Sequence, residues 1–251
     1  MIPVRKNKFD FKNTPKYYYK DSKLITHFFN ALSSTFPPGE DFFVRAVRAH
    51  RKQLPNDILE KDISGFIGQE AWHSMAHKTM NIYAENHNIP LTKIEDFINT
   101  ALHVIEKKLT VKQCLAVTVA LEHYTASMGM EILNNPKWLS LFEEPYKKLI
   151  EWHSTEEIEH RHVAYDVYMR DYSEDYKTRV FAMIGASVIF WIAISFMTGM
   201  LFFTDKDIGT KEKVYEFFYG IKELIGPKGF VTNILKDLPI FFKKDFHPNM
   251  M

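Results

Sequence analysis

The chain lacks the residues that build disulfide frameworks, β-hairpins and polyanion-binding surfaces. It has one cysteine, Cys114, in 251 residues. A lone thiol forms no intrachain bridge and supplies no Cys-rich zinc site. Ten glycines, no Asn-Gly or Asp-Gly dipeptide and no sustained apolar/polar alternation leave little for hairpins. Lys plus Arg is 32 and Asp plus Glu is 31, a net charge of +1. No global positive field draws nucleic acid, so none is expected as a partner. The first ten residues are partly basic but carry no apolar run, so they do not read as a secretory signal.

What is present is apolar matter at helical spacing. The chain is 46% hydrophobic and 15% aromatic, enough for a sizeable core. Periodicity predicts an all-α protein with a short helix near 22–34, stopped by Phe36-Pro37-Pro38-Gly39, and a second near 39–53. Pro55-Asn56-Asp57 opens a long helix to about Asn86, with Asp57 as its N-cap. Further helices are expected from Pro90-Leu91-Thr92 to Lys108, from the Thr110 cap to Leu133, and from 137 to 171, after the break at Asn134-Asn135-Pro136. Two amphipathic pieces, near 211–225 and 230–244, flank Gly226-Pro227-Lys228-Gly229.

Two segments raise the question of a membrane. Val180–Thr204 holds no charged residue and as a helix would be about 37 Å long, enough to cross a hydrocarbon core of about 30 Å. Lys177, Arg179 and Lys206 place positive charge on both flanks, so the positive-inside rule does not orient it. A span, a helix sunk in one leaflet, and a buried or dimerising helix all remain open. Residues 5–23 carry Arg5, Lys6, Lys8, Lys12, Lys16, Lys20 and Lys23 against Asp10 and Asp21. They read as a solvated arm, or as one weakly drawn to an anionic surface. The expected division is a helical bundle with its arm over residues 1–176 and an apolar helix with an amphipathic tail over 177–251, packed on the bundle or a membrane. The location that follows is cytoplasmic, at the inner membrane if 180–204 meets lipid.

The apolar stripes turn ionisable in their middles. Steps of three and four from Leu59 read Ile63, Phe66, Glu70, His73, His77, Met80. From Phe142 they read Tyr146, Leu149, His153, Glu157, His160, Ala164. From Leu115 they read Thr118, Glu122, Thr125, and near Phe36 they read Glu40, Phe43, Val47. Four helices thus bring carboxylates inward, where they are costly unless neutralised. Arg45, Arg48 and Arg161 could pair with some of them as a buried salt-bridge network. Histidines on the same stripes favour a pair of divalent cations, which take carboxylate oxygen and imidazole nitrogen together. Glu-x-x-His suits this because residues three apart share a helix face.

With 18 Glu and 11 His in 251 residues, chance yields about one Glu-x-x-His, and three occur. The Glu159/His162 pair faces the other way, with Asp166 and Thr155, and reads as solvated surface. The remaining order is Glu40, Glu70-x-x-His73, Glu122, Glu157-x-x-His160, one element per helix, with 89–109 where a long crossover belongs. That is the dinuclear layout of a ferritin-like four-helix bundle with a crossover helix, here with additional C-terminal helices. The expected metal ligands are Glu40, Glu70, His73, Glu122, His153, Glu157 and His160, with Glu70 and Glu157 as bridges and His77 behind them. Glu156 is a candidate base, Thr125 a candidate holder of a bound water or oxygen species. His123 reads as structural, and no spacing ties His247 to the cluster.

FPPGEDFFVRAVR (36–48), FIGQEAWH (66–73) with His77, and WHSTEEIEHRHVAYDVY (152–168) resemble the bacterial family named "predicted metal-dependent hydrolase". The resemblance runs from about Phe36 into the tail, Phe246-His247-Pro248 included. The seven-ligand pattern with His153 also resembles the di-iron N-oxygenases that act on aryl amines. The two resemblances imply different chemistry on one site. One is oxidation or oxygenation of an apolar or aromatic small molecule at a di-iron centre, with an electron-donor protein. The other is hydrolysis by a metal-activated water. Iron storage is a third reading. Iron is the expected metal, with manganese or zinc as alternatives, and a homodimer is a further expectation.

Overall fold

The computed structural model describes residues 2–20, 22–52 and 57–251. Asp21 of the basic arm, the end of the expected 39–53 helix at Gln53, and the Pro55-Asn56 opening lie outside the described residues. The described residues form ten α-helices, two short 3-10 turns and no strand, so the all-α expectation holds. A single isolated bridge joins Tyr19 to Phe142.

Helix α1, Lys23–Arg48, starts on the Ser22 side chain, which accepts from the Ile25 amide. It corrects the expected break at Phe36-Pro37-Pro38-Gly39, because one helix runs through both prolines. Each proline leaves the carbonyl four residues back without its amide partner. The carbonyl of Ser33 takes the Asn81 side-chain amide instead, at 3.1 Å. Nearby, Ser34 and Thr35 hydroxyls donate to Ala31 and Leu32 carbonyls. One of the two stranded carbonyls is thus satisfied from outside the helix, by a group that no local pattern shows.

Helix α2, Ile58–Ala84, is capped by Asp57, and α4, Val111–Asn134, by a capping box of Thr110 and Gln113, both at the expected positions. Between them α3, Leu91–Glu106, fills the crossover and packs along α1. The expected single helix over 137–171 is overturned. Three replace it: α5, Pro136–Ser140; α6, Tyr146–His160; and α7, Val163–Tyr172. Pro145 cannot continue a helix from its N-terminal side and sits at the α6 N-cap. Arg161 and His162 keep right-handed helical dihedrals, so α7 carries on from α6 after a bend rather than a reversal.

α1 pairs with α2, and α4 pairs with α6 and α7. These helices surround the interior where the stripes meet. Helix α8, Tyr176–Thr204, runs along α1 and α4. It is long and apolar enough to cross a membrane, with a mean hydropathy of 2.3 over its most apolar window, yet only 22% of that window is buried. Helices α9, Thr210–Ile225, and α10, Phe230–Phe241, pack on α1 and α4 respectively.

The basic arm is tied down at Arg5, Lys16, Lys20 and Lys23, while Lys6, Lys8 and Lys12 are exposed as a solvated arm would have them. Arg5 binds Glu156 and Glu159, Lys16 binds Asp205 and Asp207, and Lys23 reaches Glu212. Tyr18 stacks on Tyr146 at 3.8 Å between ring centres.

Candidate metal centre

Glu40 comes from α1, Glu70 and His73 from α2, Glu122 from α4, and His153, Glu157 and His160 from α6; all seven are buried. Their ligating atoms fall into overlapping groups, each within 4.8 Å: Glu40, His73 and His153; Glu70, His73 and Glu157; and Glu70, Glu122 and His160. The structure therefore brings together all seven residues expected from the stripes. Glu70 belongs to two groups. Glu157 lies 3.5 Å from His73, 2.9 Å from His153 and 3.4 Å from His160. These two carboxylates occupy the middle.

The hydrogen bonds behind the histidines decide which nitrogen faces inward. Gln69 uses its amide NH2 on the Pro3 carbonyl and on Glu159, so its oxygen accepts from His160 Nδ1 at 2.9 Å. His160 Nε2 is left as a bare lone pair, 3.1 Å from Glu70 and 3.4 Å from Glu122. His73 donates from Nε2 to Glu156 at 3.0 Å, so its Nδ1 lone pair faces Glu70 at 3.7 Å.

For His153 the chain of direction is longer. Asn81 donates its NH2 to the Ser33 carbonyl and Glu95, so its oxygen accepts the Ser33 hydroxyl proton at 2.7 Å. Ser33 must then accept from His77 Nδ1 at 3.0 Å. His77 Nε2 in turn accepts from His153 Nδ1 at 2.7 Å. The lone pair on His153 Nε2 is thereby aimed at Glu157 and, at 3.6 Å, at Glu40.

Three imidazole lone pairs and four carboxylates thus point at one another with no donor among them. Both oxygens of Glu40, Glu70 and Glu122, Glu157 Oε2, His73 Nδ1 and His160 Nε2 are buried without a hydrogen-bond partner. So many orphaned acceptors in one place need positive charge. No Lys or Arg pairs with these carboxylates among the described residues: Arg45 pairs with Glu106, Arg48 is exposed, and Arg161 makes no ion pair with any of the four. A set of acceptors only, with oxygen and imidazole donors to cations, fits two divalent ions.

Electrostatics without cations tell the same story. Burial, then the nearby Glu70, pushes Glu40 well above the usual carboxylate range, and burial pushes Glu122 up to about 8 against its contact with His160. His73 and His160 are pushed up; burial opposes this, but the surrounding carboxylates outweigh it. The cluster gathers protons when nothing else neutralises it. Burial lowers His153 to about 4 and His77 well below its usual value, which keeps both rings neutral and free to pass the lone-pair direction inward.

Glu156 lies behind His73, held by Arg5 at 3.1 Å; burial would raise its pKa, yet His73 and Arg5 hold it down. It orients a histidine and does not face the cluster. Thr125 donates to the Glu122 carbonyl at 3.1 Å and stands at the wall of two cavities. His123 packs between Phe241 and Phe246, and His247 pairs with Asp166, both away from the cluster. The expectation that Glu159 is solvated is corrected: it clamps Arg5 and Gln69. Sequence reasoning missed Gln69. Its only signal is its place one residue before Glu70, which puts it beside the stripe rather than on it.

A cavity of about 490 Å³ reaches the cluster at Glu40. Its wall is hydrocarbon from α1, α3, α4 and α8, including Phe43, Leu102, Leu121 and Ala186. A second space of about 40 Å³ abuts His153 and Glu157, beyond Phe36, Thr125 and Met128, which line both.

Neither a curated protein nor a solved structure matches the chain. A family model does, over residues 3–251, and that span takes in the seven clustered residues and the helices around the cavity. The chain therefore belongs to the family described as "predicted metal-dependent hydrolase".

Proposed function

We propose that Glu40, Glu70, His73, Glu122, His153, Glu157 and His160 hold two iron ions, and that the chain uses dioxygen to oxidise or oxygenate an apolar or aromatic small molecule. The observation that carries this reading is the junction at Glu40. A buried all-acceptor cluster there meets a hydrocarbon-walled cavity of about 490 Å³. That volume lies in the range of small-molecule sites, about 300–1,000 Å³. When bound, a pair of redox-active ions supplies electrons to dioxygen, chemistry that no side chain here performs.

The chain's own part is binding, orientation and exclusion of water. Glu70 and Glu157 sit between the two halves of the cluster and would be shared by both ions. Gln69, Glu156 and His77 each hold a histidine with its lone pair inward. The apolar wall places substrate carbon, rather than water, beside Glu40. Inserting one oxygen atom into a C–H bond while the other leaves as water consumes two electrons and two protons. An electron-donor protein is therefore part of the proposal.

The family description favours a second reading on the same residues, hydrolysis by a metal-activated water. It would need a polar scissile group next to Glu40, where the cavity offers few polar side chains, Thr35 and Thr125 among them. The two readings separate on purified protein. Oxidation predicts about two irons per chain. It also predicts oxygen uptake by the reduced protein that rises with an apolar substrate, and loss of both in Glu70→Ala. Zinc or manganese with ester hydrolysis and no oxygen uptake would replace it by the hydrolase reading. Iron taken up without turnover would leave storage, and a chain that binds no metal would overturn all three.

A further inference from the structure

We propose that the outer face of α8 lies in one leaflet of a lipid bilayer, and that the cavity between α3 and α8 is loaded from that leaflet with a single-tailed, long-chain amphiphile. The ligand half of this proposal rests on the apolar-substrate reading above; the bilayer half stands apart from it.

Phe181, Ile184, Val188, Ile192, Phe196 and Phe203 are all exposed, with Phe181 and Phe196 each 70% accessible. Their steps of three, four and seven keep one stripe, about 33 Å long, on a helix with no charge between 180 and 204. A patch of that length without charge exceeds what a water-facing surface ordinarily carries. It continues onto α9 through exposed Val214, Phe218 and Ile225, again on one face.

The other face of α8 is committed to the protein. Ser187 meets the Tyr124 hydroxyl at 2.7 Å, and Arg179 is buried, donating to the Phe241 and Lys243 carbonyls. Met183, Ile194, Leu201 and Phe202 are buried. A helix held this way cannot cross a bilayer unless α1 and α4 cross with it, and those helices carry the buried carboxylate cluster. It can lie along a bilayer, as interfacial helices do, with its free stripe among acyl chains. Lys177 at one end, and Lys206, Lys211 and Tyr215 at the other, are exposed and placed to meet headgroups.

The cavity decides between lipid and a second copy of the chain as the cover for this stripe. Phe181, Gly185 and Ile189 are exposed and also line the cavity, so its mouth opens on the stripe. Ile98 and Leu102 of α3, half-buried, form the opposite lip. A protein seated there would close the mouth. Acyl chains leave it open to any molecule already dissolved among them, which would enter without crossing water. The tail would reach the inner end at Glu40 and Thr125, and the polar end would stay at the mouth between α3 and α8. At about 490 Å³ the cavity is of small-molecule size, which suits one extended tail. The stripe itself carries no charge, so the attraction it supplies is apolar and depends little on lipid charge.

The test is flotation of the full-length protein with phosphatidylcholine vesicles, with and without an anionic phosphatidylglycerol fraction, alongside fluorescence of cis-parinaric acid as a single-tailed probe. The expected result is co-flotation with both vesicle types, reduced at least about tenfold in Val188→Glu/Ile192→Glu. That variant changes two exposed residues outside the cavity wall and keeps the helical signal and the probe. Ala186→Trp, which fills the cavity, is expected to lose the probe and keep flotation. A wild-type chain that stays out of the lipid fraction would overturn the bilayer half. So would a stable dimer that Val188→Glu/Ile192→Glu converts to monomer. Probe binding indifferent to Ala186→Trp would overturn the ligand half. Neither readout needs metal, so a metal-free chain that floats and binds the probe would uphold this proposal while removing the one it extends.

Discussion

His160 presents one nitrogen to the cluster because Gln69 occupies the other. Replacing Gln69 by Leu leaves His160 Nδ1 without an acceptor and frees the ring to take the wrong tautomer. We expect metal affinity to fall about 10–100-fold in Gln69→Leu with an unchanged far-ultraviolet spectrum, read by chelator competition. His77→Leu removes the acceptor for His153 in the same way, and the expected loss is confined to one of the two ions. Stripping metal from the wild-type protein leaves four carboxylates facing one another, so the chelated protein should melt several degrees lower and recover on reloading. A melting point indifferent to chelation would count against a metal centre of any kind. At this scale the stripes were readable: seven acceptors at helical spacing stand out against apolar neighbours. Their supporting partners were not. Glu159 meets Arg5 across 154 positions, and Gln69 meets His160 across 91. No local pattern encodes such pairs.

α1 is the element where local rules mislead most. Pro37 and Pro38 each delete an amide, and the reading of a stop follows correctly from that chemistry. Asn81, on α2, supplies a donor to the Ser33 carbonyl, one of the two that the prolines strand, and accepts the Ser33 hydroxyl. Asn81→Leu should therefore cost about 3 kcal/mol in denaturant unfolding, since it strands a buried carbonyl, a hydroxyl and Glu95 together. An effect below about 1 kcal/mol would mean that the prolines are tolerated for another reason. The α4 and α6 pair shows the converse, a feature the sequence shows only as one glycine on a stripe. A Cβ on Gly129 would stand 2.8 Å from the Ser154 carbonyl oxygen, so this glycine sets how closely the two helices approach. Gly129→Ala is expected to cost about 1–3 kcal/mol of stability by the same measurement, and to separate Glu122 on α4 from Glu157 on α6.

Across the whole molecule, the arm, α1 and the end of α8 meet at Asp205. Its carboxylate accepts from Lys16 at 2.7 Å, Tyr17 at 2.9 Å and His27 at 3.0 Å. Burial would raise its pKa, but these donors and the Asp207 amide together hold it down at about 2. A carboxylate depressed in the folded state contributes stability that is present above its unfolded pKa, near 4, and disappears as pH falls through about 2. Asp205→Asn should destabilise by on the order of 3 kcal/mol at pH 6, and the gap to wild type should close between pH 4 and pH 2. A gap independent of pH would assign the loss to packing. The sequence alone determined the helical class, the caps at Asp57 and Thr110, the order of the site helices and the seven inward acceptors. All of these depend on residues a turn or two apart, where helix geometry is enough. Only the tertiary structure decided that α1 is unbroken and that Arg5, Lys16 and Lys23 of the arm pair with carboxylates far along the chain. It alone decided that the histidine lone pairs turn inward, and that one face of α8 is held while the other is bare. Each of these depends on which distant group arrives to satisfy or cover an exposed atom, and that is set by packing rather than by neighbours along the chain.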